Sequence, residues 1–158
     1  MKNAYQPVTA VELKTITGPR PGVRAVLDTI LWFRSAVTPE GFGGVTSGGI
    51  YNRRPQRGKT VLNPGSASLH SAGRALDIMV PNKKAGDELY LRLAAAADAV
   101  GICEIIWWER RLTSKGEKPY KGASPHKDHI HVGFTADWAD RKNSAELRRW
   151  TAHFVFGA

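Results

Sequence analysis

Two short stretches constrain this chain more than anything else in it. Ser68-Leu-His-Ser-Ala-Gly-Arg-Ala-Leu-Asp77 and Pro125-His-Lys-Asp-His-Ile-His-Val132 together hold four of the five histidines and two aspartates. Asp77 sits in a segment of β character, with Ala75, Asp77 and Met79 on one strand face and Leu76, Ile78 and Val80 on the other. An aspartate among so many apolar residues is costly to bury unpaired. A metal ion explains its presence; an ion pair with an arginine is the plainer explanation. In the second stretch, period two puts His129 and His131 on one strand face and Ile130 and Val132 on the core side. Gly73 lets the chain reverse, so His70 in a loop can point back at Asp77 on the strand that follows. A catalytic zinc typically takes three ligands from His and carboxylate and leaves a position for water. Either stretch alone is a moderate signal of such a site, and the two together are a stronger one.

The remaining pattern predicts elements that carry these stretches. A weak strand or turn is expected around 8–13. Val23, Val26, Leu27, Ile30 and Leu31 recur at helical spacing, so a helix is expected over about 22–36, stopped by Thr38-Pro39. Residues 41–67 are rich in Gly, Ser, Asn and Pro and read as a long loop, with a short strand near Ile50-Tyr51. A loop of that length is commonly functional, and it is expected to form one wall of a substrate groove. Strands are expected over 74–80, 102–108 and 129–134, a helix over about 85–100, a polar loop over 109–124, and a terminal helix over about 144–150 before an apolar tail. Of Trp107 and Trp108, one should face the core and the other the groove, and Trp107 joins the candidate substrate contacts; Trp32, Trp138 and Trp150 read as packing residues. Lys127 reads as a solvated side chain. The expected fold class is α+β: a small, mainly antiparallel sheet flanked by helices, in one domain over 1–158 with the motif-bearing core at about 45–134.

Composition narrows the class. No run of about 18 apolar residues exists, so no helical membrane span is expected. The N-terminal residues lack a secretory-signal pattern. The single Cys103, in an apolar run, excludes an internal disulfide framework and a cysteine-rich zinc module. A net charge of +9 favours an anionic partner; nucleic acid, anionic lipid and a polyanionic cell wall all fit, as does a generally basic surface.

The motifs carry a family resemblance. Ser68-x-His70-x-x-Gly73-x-Ala75-x-Asp77 and Asp128-His129-x-His131 resemble the two zinc motifs of D-Ala-D-Ala carboxypeptidase-type metallopeptidases. Their superfamily includes lysostaphin-like peptidases and the Hedgehog signalling domain. Gly49-Ile-Tyr-Asn, Ile105-Ile-Trp107 with Arg110-Arg111, and Tyr120-x-Gly-x-Ser-Pro-His126 are similar to peptidase domains of actinobacterial proteins and of endolysins from phages that infect them. The resemblance implies one zinc ion per chain, held by His70, Asp77 and His131. It implies Asp128 as general base, where many relatives have glutamate. It gives His129 a part in stabilising the oxyanion or orienting the base. An arginine of Tyr51-Asn-Arg-Arg54 would hold a substrate carboxylate or the tetrahedral intermediate; relatives with cysteine then arginine after Tyr-Asn favour Arg54 over Arg53. His126 would contact substrate or hydrogen-bond a ligand. Ser68 is a hydrogen-bonding residue near the substrate rather than a nucleophile, since no histidine is identifiable as its dedicated base.

The function implied is a zinc peptidase that cuts peptidoglycan stem peptides, as endopeptidase or carboxypeptidase. Its partners would be the peptide substrate and the anionic wall, with no nucleic acid and no membrane span, and the protein would act as a monomer. Absence of a secretory signal fits a phage lysin made in the host cytoplasm and released to the wall through a holin-type hole. A non-catalytic binding module on the same fold is the alternative, opposed by the retained Asp128 and His129. Nucleic-acid binding would leave the His/Asp pattern unexplained and has no recognised reading motif.

Overall fold

Most of the expected periodicities become elements in the computed structural model, which describes residues 1–36, 44–56 and 59–158. The helices are α1 (Ala10–Thr15), α2 (Pro21–Ala36), α3 (Lys83–Ala96), α4 (Ala136–Ala139) and α5 (Ser144–Thr151). The strands are β1 (Thr46–Gly49), β2 (Ala75–Met79), β3 (Ile102–Trp107), β4 (Arg110–Thr113), β5 (Gly116–Pro119) and β6 (His129–Phe134). A 3-10 turn covers Leu69–Ala72, and a π-helical turn, Ala152–Phe156, replaces the expected apolar tail. The strands form one sheet in the order β1-β2-β6-β3-β4-β5, with every neighbouring pair antiparallel. The α+β expectation holds.

The sheet has two different faces. Leu76 and Ile78 of β2, Ile130, Val132 and Phe134 of β6, and Ile105 and Trp107 of β3 join the main core with Val23, Val26, Leu27 and Ile30 of α2 and Leu89 and Leu93 of α3. The opposite face carries a smaller cluster of Val8, Leu13, Leu69, Ala75 and Cys103. It also carries the polar residues that matter here. The pairing of β3 with β6 shifts register between Ile102 and Glu104. This irregularity breaks the period of two. Ile102 belongs to the main core and Cys103 to the smaller cluster, yet Glu104 does not return to the core side.

Several expectations need correction. The 8–13 segment is helical from Ala10, because Thr9 and Glu12 close a capping box: Glu12 N–H donates to Thr9 Oγ1, and Thr9 N–H donates back to Glu12 Oε2. Glu12 then accepts from Arg20 (2.7 Å) and sits 2.9 Å from Arg74 Nε, which ties α1 to the sheet. The strand expected at Ile50-Tyr51 lies earlier, at Thr46–Gly49. The expected polar loop over 109–124 contains a hairpin of two short strands, half-buried β4 and exposed β5. Trp32, expected among the packing residues, is 67% exposed. Lys127 is not merely solvated; it lies 3.2 Å from Glu109 and over the Trp108 ring. The helix stop at Thr38-Pro39, and Gly41 and Gly43 of the glycine-rich stretch, lie outside the described residues.

Candidate metal centre

Antiparallel pairing fixes which side chains meet, and the β2–β6 register sets Asp77 opposite His131. His70 reaches them from the 3-10 turn. That turn begins at Ser68, whose hydroxyl accepts the His70 N–H at 3.4 Å. It ends at Gly73, in the left-handed region at φ 63°. A Cβ at Gly73 would lie 2.4 Å from the Gly18 carbonyl oxygen, so both the backbone angle and the space demand glycine. The reversal at Gly73 feeds directly into β2 and brings His70 over Asp77.

Three ligand atoms converge. His70 Nε2 is 3.1 Å from Asp77 Oδ1 and 3.2 Å from His131 Nδ1, and His131 Nδ1 is 3.0 Å from Asp77 Oδ1. Around a tetrahedral ion with bonds of about 2.0–2.1 Å, ligand atoms stand ~3.3–3.4 Å apart. The observed triangle is slightly smaller than that, and two nitrogens and a carboxylate oxygen form a donor set that could hold a metal ion. The trio therefore fits the ion that the sequence motifs imply.

The electrostatics agree. Burial pushes the Asp77 carboxyl up, but hydrogen bonds from His131 and His70 outweigh it and hold it far below the usual carboxylate range. Burial opposes charge on His131, yet Asp77 and Glu104 outweigh burial and lift its pKa to about 9. Burial lowers the pKa of His70, against its hydrogen bond with Asp77. Asp77 and Glu104 thus favour positive charge on His131, whereas burial disfavours it on His70.

The trio lies in a cleft of about 730 Å³. A larger hollow of about 820 Å³, around Lys2, Trp138 and Arg141, lies elsewhere and holds none of the trio. One wall of the cleft comes from the long loop, through Arg54, Gln56 and Lys59. This matches the expected groove wall and separates the two arginines: Arg54 lines the cleft, while Arg53 is exposed and does not. Ser71 holds this loop to the turn that carries His70, because its hydroxyl accepts from Arg54 N–H (3.1 Å) and donates to the Arg54 carbonyl (2.6 Å). The facing wall brings Arg111, Tyr120 and Lys121.

His126 and His129 complete the cleft. His126 Nδ1 donates to the Ser124 carbonyl at 2.7 Å, which leaves Nε2 unprotonated in the neutral ring. Burial, then His131 and His129, push its pKa down to about 4, so the ring is neutral at pH 7. Its φ of 51° is held by the neighbouring hairpin. There Trp108 (φ 48°) and Glu109 (φ 63°) make a two-residue turn, and their N–H groups donate to the carbonyls of His126 and Pro125. The His129 ring lies 4.6 Å from that of His126. His129 Nδ1 donates to Asp128 Oδ1 at 2.7 Å, which holds the Asp128 carboxyl below its ordinary range. The Asp128 side chain is 74% exposed and reaches the cleft through His129 rather than lining it.

Trp107 is not a substrate contact: it is fully buried under α3, and its Nε1 donates to Asp87 at 2.9 Å. Odd-numbered β3 residues beyond the register shift face the helices, so Trp107 joins Ile105 in the core. Glu104, not expected at the site because it lies inside an apolar run, lines the cleft with its carboxylate 3.6 Å from His131 Nε2. Like Asp77, it is an acid costly to bury in an apolar strand, and that cost is the signal in the sequence that marks it.

Comparison with known families gives a match. The family model described as VldE, C-terminal domain, matches residues 25–131, a span that contains the whole trio and more than half of the 158 residues. No curated protein and no solved structure matches the chain.

Proposed function

We propose, from the premise that this chain belongs to the VldE C-terminal domain family, that it is a zinc-dependent peptidase hydrolysing amide bonds in bacterial peptidoglycan stem peptides. That family is D-Ala-D-Ala-peptidase-like, in keeping with the resemblance of the two sequence motifs. The observation that carries the reading is the triangle of His70 Nε2, Asp77 Oδ1 and His131 Nδ1, with sides of 3.0–3.2 Å, inside an open cleft. Phage endolysins are the setting that the motif wording favours, with the protein acting on the wall after release from the host cytoplasm. Endopeptidase cleavage, such as between L-Ala and D-Glu, and carboxypeptidase cleavage both suit the same centre.

Zinc, when bound, supplies a water that ionises near neutrality and a Lewis acid for the amide carbonyl. The chain supplies the rest. Arg54 on the long-loop wall attracts a substrate carboxylate or the developing oxyanion. The Asp128–His129 pair handles the proton: Asp128 is the base, and His129 connects it to the cleft through the 2.7 Å hydrogen bond. His126, neutral and facing the cleft, offers hydrogen bonding to substrate without repelling the zinc charge.

Asp128→Ala tests the division of labour. The variant should keep one zinc per chain and the parent's circular dichroism, and should digest peptidoglycan about 10²-fold to 10⁴-fold more slowly. Digestion at the parent's rate would remove Asp128 from the chemistry. A protein that binds zinc and wall but releases no fragment would instead be a binding module on this fold.

A further inference from the structure

One buried charge has no task in the chemistry above. Glu104 is 5% exposed on β3, and the sheet irregularity at Ile102–Glu104 is what turns it toward the cleft. Its two carboxylate oxygens divide between two partners. Oε1 accepts from Arg111 Nε at 2.5 Å, and Oε2 faces His131 Nε2 at 3.6 Å. Arg111 is in turn stacked over the Tyr5 ring at 5.0 Å. An unpaired carboxylate at this depth would be costly, so two cationic or proton-bearing partners on one acid call for a functional reason.

We propose that Glu104, clamped by Arg111, is the positioning residue of His131: it commits the ring to keep its proton on Nε2 and present Nδ1 to the metal. The inference rests on reading the trio as a metal centre. An imidazole ligand binds metal through one nitrogen while the other N–H is oriented by an acceptor, often a carboxylate. His131 Nδ1 already faces Asp77 Oδ1 and His70 Nε2. Among the described residues, Glu104 is the acceptor on the other side of the ring. A 3.6 Å separation is longer than a hydrogen bond, so the orienting force is electrostatic. It acts where water is scarce, since His131 is 7% exposed. Turning the ring over about its Cβ–Cγ bond would replace Nδ1 by a carbon in the trio. It would also take the Nε2 proton away from Glu104, so the carboxylate resists that turn.

The test combines nitrogen NMR of the His131 ring with zinc affinity. In the zinc-loaded parent, imidazole ¹⁵N shifts should show Nδ1 bound to metal and Nε2 protonated, with a slowly exchanging Nε2 proton. Glu104→Ala should bind zinc about 10- to 100-fold more weakly in a chelator competition and lose the slow proton. Glu104→Gln, which keeps the shape and an acceptor oxygen but not the charge, should fall between it and the parent. It also serves if the alanine variant fails to fold. Nε2 bound to metal in the parent, or folded variants that bind zinc as tightly as the parent, would overturn the role of Glu104 while leaving the metal centre standing. A parent that takes up no zinc would overturn the metal centre itself and Glu104's role with it.

Discussion

Asp77 and His131 face each other at 3.0 Å, and each changes the other's hold on protons. The His131 contribution to stability is fully present below the ring's ordinary 6.5 and is lost as pH rises through about 9. The Asp77 contribution runs the other way, present above the carboxyl's ordinary 3.8 and lost as pH falls further. Chelator-stripped protein should therefore gain stability from this pair across the span between those values. Zinc must displace the proton that His131 holds up to about pH 9. Zinc uptake at pH 7 should release about one proton per chain, and apparent affinity should rise about tenfold per pH unit toward that value. Calorimetry in buffers of different ionisation enthalpy measures the release; an affinity independent of pH between 6 and 8 would contradict it. The ligands themselves were legible in the sequence, because a buried acid and paired histidines at strand spacing are chemically conspicuous. Glu104 was not, because a strict period of two assigns it to the face of Ile102, and only the register shift in β3 moves it.

At the scale of elements, α3 and β3 meet through Gly86 and Trp107. A Cβ at Gly86 would lie 2.1 Å from Trp107 Cζ2 and 2.5 Å from Cη2. Replacing a helical glycine by alanine ordinarily gains up to about 1 kcal/mol. Here the indole is fully buried and held by Asp87, so overpacking should win. Gly86→Ala should lower stability by about 1–3 kcal/mol in denaturant unfolding; a variant as stable as the parent would mean that the ring shifts freely. The long helices α2 and α3 and the buried strands β2, β3 and β6 were readable because each has an apolar face with a clear period. α1 was not, since six residues carry too little periodicity, although Thr9 and Glu12 spell its capping box. β4 and β5 were not either: Arg110–Thr113 is only half-buried and Gly116–Pro119 is exposed, and Leu112 alone among them is a large apolar residue, so no apolar alternation marks them. They exist because the turn at Trp108 and Glu109 folds the chain back on β3.

On the scale of the whole molecule, a two-faced sheet separates stability from chemistry. Its helix-covered face holds the core, and the other face gathers the trio, Glu104, His126 and His129 in one cleft. The chain belongs to the VldE C-terminal domain family over residues 25–131. No described helix is long and apolar enough to cross a membrane. The surplus of 23 Lys and Arg over 14 acids, with Arg54, Lys59, Arg111 and Lys121 at the cleft, suits the anionic wall that we propose as its target. The measurement that bears most directly on that proposal is mass spectrometry of fragments released from purified actinobacterial peptidoglycan. Zinc-loaded protein should release stem-peptide fragments with one new terminus at a constant bond, whereas the chelated protein and Asp77→Ala should release none. If the zinc-loaded protein releases no fragments, or the chelated protein releases them as fast, the zinc peptidase account is wrong.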